Sequence, residues 1–99
     1  MDLTAILDRI ELEIPDYCGS SAGPPASSPF WTVLSGTIAT LRTAGDDYQK
    51  AHSAYSHLIR ISIDEFPGLD MPAINALGRA MDRWRMDRNL AKRQNSGPT

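Results

Sequence analysis

Apolar residues recur along this chain at helical rather than strand spacing, in three blocks separated by proline, glycine and serine. In the first block Leu3, Ile6, Leu7, Ile10 and Ile14 share one face, with Asp8, Glu11 and Glu13 between them. This predicts a helix over residues 2–14 that Asp2 caps and Pro15 ends. Residues 15–28 follow. From Gly19 to Ser28 they read GSSAGPPASS, without a large apolar side chain, which predicts a linker, part flexible and part polyproline II.

Ser28 and Pro29 form a helix start, a capping hydroxyl before a proline at the first helical position. Phe30, Leu34, Ile38, Leu41, Gly45, Tyr48, His52, Tyr55 and Ile59 then recur at steps of three and four, the period of a straight amphipathic helix. A second row, Val33, Thr37, Ala44, Ala51 and Leu58, runs beside it. The pattern predicts one long central helix over residues 29–62, about 50 Å in length, with a kink at Gly45. Gly45 as a C-cap, with Asp46 and Gln49 as a capping box, offers two helices instead. The unbroken phase of the stripe favours one.

Asp70 opens the third helix as its N-cap, with Pro72 in the first turn and Leu69 and Ile74 at the spacing of a hydrophobic staple. The expected span is residues 70–93, with 94–99 a disordered tail. At 100° per residue, Ala73, Ile74, Leu77, Met81 and Trp84 form a docking side. Beyond Trp84 the same side carries Arg85, Arg88 and Lys92, so a face that begins apolar becomes cationic.

The three blocks imply a single all-α domain, a long central helix with two shorter helices packed on it. Its wide apolar face contains the small residues Thr37, Ala44, Gly45 and Ala51, which permit close approach and point to a homodimer. Tyr48, His52 and Tyr55 are the expected oligomer interface.

Charge changes the picture. Residues 78–99 hold six basic side chains against Asp82 and Asp87, a net +4, whereas residues 1–77 hold four basic and ten acidic ones, a net −6. The overall charge of −2 conceals a molecule with one cationic end. Pairs such as Arg83 with Asp87 and Asp82 with Arg85, and the preference of cations for a helix C-terminus, account for about half of that cluster. The remainder points to a partner, bound through Trp84, Arg85, Arg88, Lys92 and Arg93. A protein surface is the first expectation. A nucleic acid or nucleotide held by Arg85, Arg88, Lys92 and Arg93 is the alternative, set back by a sequence pI near 5.5.

Candidate chemistry is sparse. Ninety-nine residues suit one modest core. Cys18 has no second cysteine to pair with, which suits a reducing compartment. His52 and His57 are turned about 140° apart on a helix and cannot share one ion. Asp46 and Asp47 are neighbours that diverge on a helix, so capping is their simpler role. No phosphate loop, metal-spaced Cys/His set or nucleophile motif occurs. The chain is expected to be no enzyme and to need no metal or cofactor. It opens without the basic and apolar regions of a signal peptide and holds no apolar run of membrane-spanning length. A cytoplasmic interaction protein of the adaptor or inhibitor type is the expectation. Its size and charge distribution suit the accessory or anti-defence proteins of phages and mobile elements, an analogy without a motif behind it.

Overall fold

A computed structural model describes the backbone of residues 2–95 and the side chains of residues 2–92. It is all-helical over those residues, with four helices: α1 (Thr4–Tyr17), α2 (Pro29–Ala44), α3 (Tyr48–Glu65) and α4 (Pro72–Asn95). The tail expected to be disordered divides: 94 and 95 belong to α4, and 96–99 lie outside the described residues.

The expected central helix is broken at Gly45, which is the main correction to the sequence reading. Gly45 has φ 57° and ψ −121°, the angles of the first central residue of a type II′ turn and a region closed to residues with a Cβ. The Asp47 N–H closes that turn on the Ala44 carbonyl at 2.9 Å. Asp47 then caps α3, its carboxylate accepting from the Lys50 N–H at 3.1 Å, so the cap lies one residue later than the Asp46–Gln49 box would place it. The chain reverses, and α2 and α3 form a helical hairpin. Of the small residues expected to admit a second copy, Thr37, Ala44 and Ala51 are buried in the monomer and Gly45 is exposed in the turn. The Thr37 hydroxyl reaches the Ala54 carbonyl across the hairpin at 3.4 Å.

Other boundaries move as well. Helix α1 passes through Pro15 and ends at Tyr17, because a proline in the exposed last turn forfeits one backbone bond while the Cys18 N–H still closes on the Ile14 carbonyl at 2.8 Å. Helix α4 begins at Pro72, and Asp70 does not cap it: that carboxylate accepts from the Asn75 side chain at 2.6 Å. Glu13 of α1 supplies the anion, accepting from the Ala73 N–H at 3.1 Å. Ser28 caps α2 as expected, accepting from the Phe30 N–H at 3.2 Å. Helix α1 starts at Thr4, two residues later than expected, with Leu3 in the cap position, and the Asp2 carboxylate accepts from the Thr4 N–H at 2.9 Å. The Asp2 carboxyl is held below its ordinary pKa by that backbone donor. The Gly/Pro/Ser segment is a hydrogen-bonded loop instead of an open linker. Pro24 is buried, and the Trp31 indole N–H points at the Pro24 and Pro25 carbonyls at 3.2 and 3.0 Å.

Backbone contacts run α1 to α2, α2 to α3, α3 to α4 and α4 to α1, with neither diagonal pair in contact among the described residues. Cross-links fix each neighbour as antiparallel. Arg42 of α2 reaches Asp8 and Glu11 at 2.8 and 3.0 Å. The Tyr17 hydroxyl meets the Asp70 carbonyl at 3.2 Å at one end of the α1–α4 pair, while Ile6 lies beside Ala80 and Arg83 at the other. Ser28 donates to Glu65 at 3.2 Å. This is an up-down-up-down four-helix arrangement. Its core joins Leu7 and Ile10 to Phe30, Leu34 and Ile38, to Ala51 and Leu58, and to Met71, Ala73, Ile74, Leu77, Met81 and Trp84. Each large side chain buried there contributes about 1.5–3 kcal/mol before entropy is counted. No described helix is long and apolar enough to cross a membrane.

Candidate functional site

Helix α4 has 24 residues, about 36 Å, against 14 in α1 and 18 in α3, so its last turns extend past the helices it packs on. Its inner face is the one the sequence projects: Ala73, Ile74, Leu77, Met81 and Trp84 are all buried. Gly78 lets α3 come close on the same side. A Cβ added there would stand 2.7 Å from the Tyr55 hydroxyl.

Trp84, 8% exposed, ends this face and belongs to the core. Tyr48 meets it edge-to-face, with centroids 5.3 Å apart. His52 stacks on Tyr48 at 5.4 Å, and the Arg88 guanidinium lies 4.7 Å from the Tyr48 centroid. A cation over a tyrosine contributes about 0.5–1 kcal/mol at a partly exposed site. Arg88 therefore has a structural role beside any partner role, and Trp84 offers a partner little surface. Of the expected oligomer residues, Tyr48 and Tyr55 are half-buried against α4 and His52 alone is exposed. Burial between α3 and α4, with Asp82 nearby, pushes the Tyr55 phenol above its ordinary pKa.

Arg85 and Lys92 are exposed, and the side chain of Arg93 lies outside the described residues. Arg85 approaches Asp82 at 3.8 Å, the loose pair that i,i+3 spacing predicts. The expected Arg83–Asp87 pair does not form. Arg79 and Arg83 make no ion pair or hydrogen bond among the described residues.

These two arginines belong to a second face that the sequence reading passed over. Arg79, Arg83, Met86 and Leu90 follow one another at steps of four, three and four, on the side of α4 away from the core. Met86 is 60% exposed and Leu90 53%. Along the first half of this stripe a groove of about 550 Å³ opens between α1 and α4, lined by Ile6, Ala76, Arg79, Ala80 and Arg83. Following only the docking side beyond Trp84 hid it. The signal in the sequence was an apolar i,i+4 pair in line with two basic residues.

Other concavities lie elsewhere on the surface. In the groove of about 400 Å³ at the α2–α3 turn, Arg42 is already held by Asp8 and Glu11. A shallow one on α3 is lined by His52, Ser53, Ser56, His57 and Arg60. Among the described residues no group of three or more His, Cys, Asp or Glu side chains converges as a metal site. No protein-family model, curated protein or solved structure matches this chain.

Proposed function

We propose that the protein is a non-enzymatic interaction protein, of the adaptor or inhibitor type, that binds an acidic partner macromolecule through α4. The observation that supports this most is the separation of roles on one helix: the inner face supplies core, while Arg79, Arg83 and Arg85 stand exposed with only a loose 3.8 Å pair among them. A cationic surface that the fold does not neutralise raises the encounter rate with an acidic partner and disfavours basic ones. The homodimer reading loses support, since two of its three interface residues serve the α3–α4 contact.

Charge reversal tests the proposal. At least one of two charge-reversed pairs, Arg85→Glu with Lys92→Glu or Arg79→Glu with Arg83→Glu, both leaving Arg88 on Tyr48, should weaken capture of the native partner by about tenfold or more while helicity by circular dichroism stays unchanged. Undiminished capture by both pairs would contradict it. Retention of labelled DNA or RNA on a filter at low salt, lost steeply as salt rises, would favour the nucleic-acid alternative instead.

A further inference from the structure

We infer that the outer face of α4, with the crevice it forms against α1, is a docking site for an acidic amphipathic helix of a partner protein. The inference rests on the reading of α4 as the binding element and adds which side binds and what it takes. Met86 and Leu90 put two large apolar side chains side by side in solvent, one helical turn apart. Arg79 and Arg83 continue that line, also one turn apart and without ionic partners among the described residues. Beside them the crevice floor is small and apolar, from Ile6, Ala76 and Ala80. Such a surface fits a helix with aliphatic residues at i, i+3, i+4 and i+7 and carboxylates one turn apart on its flank, which two guanidinium groups can take as charge-assisted pairs.

Charge and shape narrow the occupant. A second copy laying α4 against α4 sets cations against cations, and the acidic Asp8 and Glu11 of a second α1 are already engaged by Arg42. A nucleic-acid backbone gains nothing from Met86 and Leu90, the apolar half of the site. A lipid surface calls for larger insertions than the Met86 and Leu90 of this stripe, beside a crevice floor that includes Ala76 and Ala80. An acidic helix uses both halves.

The probe is a fluorescent designed peptide of about 16 residues, four helical turns, with leucines on one face flanked by glutamates, and a control with glutamine in place of each glutamate. Fluorescence anisotropy against the full chain should show binding of the glutamate peptide and about tenfold weaker binding of the glutamine one. Arg79→Glu with Arg83→Glu should weaken the glutamate peptide at least tenfold, and Arg85→Glu with Lys92→Glu by less than about threefold. Leu90→Gln should weaken both peptides. If the reversed pair does not fold, Arg79→Gln with Arg83→Gln replaces it, with the same expected order. Equal binding of the two peptides, equal loss in the two charge-reversed pairs, or no binding of either peptide overturns the inference. Loss confined to Arg85→Glu with Lys92→Glu overturns it too, yet leaves α4 as the binding element. Sedimentation with phosphatidylglycerol vesicles in place of peptide binding assigns the face to lipid and overturns it as well.

Discussion

Tyr55 meets α4 where Gly78 leaves room for it, and that placement gives one phenol a measurable consequence. Burial and the neighbouring Asp82 disfavour its phenolate, so its folded pKa lies above the unfolded value. A raised pKa of this kind stabilises the fold fully below the unfolded value, near 10 for tyrosine, and that contribution disappears as pH rises through the folded pKa. The protein should lose stability as pH rises above about 9, and Tyr55→Phe should flatten that decline. Urea unfolding at about pH 8 and about pH 11 measures it. An equal alkaline loss in wild type and variant would show that Tyr55 is not the group. The pair contact itself was beyond the sequence: Tyr48, His52 and Tyr55 share one stripe, and only the position of α4 decides that the tyrosines are covered and the histidine is not.

The break between α2 and α3 shows where periodicity ceases to inform. Both helices bury a face of similar phase, so the stripe runs on across a chain reversal. The buried row in α3 is Ala51 and Leu58, and His52, the polar member of the first row, is exposed. Gly45 and Asp47 carried the true signal, a glycine-only conformation followed by a cap. Gly45→Ala should therefore destabilise the protein by about 1–3 kcal/mol, since alanine must enter a region costly to any residue with a Cβ. Gly36→Ala is the contrast. A Cβ there meets nothing within 4 Å on an exposed turn of α2, and it should stabilise by about 0.5–1 kcal/mol. Urea midpoints of both variants check this, and a neutral Gly45→Ala would favour a continuous helix. Local chemistry did place the start of α2 at Ser28, and it placed Asp2 within two residues of the start of α1. It could not place the cap of α4, because Glu13 comes from a helix 60 residues away.

The molecule as a whole divides its charge by surface. The inner side of α4 was readable position by position, because burial follows a single 3.6-residue period. Its outer side was not, because a cation or methionine in solvent leaves the same pattern whether or not anything binds it. What the folded chain adds is accounting for partners: Arg42 is held by Asp8 and Glu11 and Arg88 by Tyr48, while Arg79, Arg83 and Arg85 carry little or none of the fold. Equilibrium urea unfolding of the Arg79→Glu/Arg83→Glu/Arg85→Glu variant decides whether the structure needs those cations, which the account of α4 as a binding surface denies. Exposed side chains without structural partners should leave the unfolding free energy within about 1 kcal/mol of wild type and the denaturant slope unchanged. A loss of about 3 kcal/mol or more would mean that the cationic face holds the fold together, and the account of α4 as a binding surface would fail.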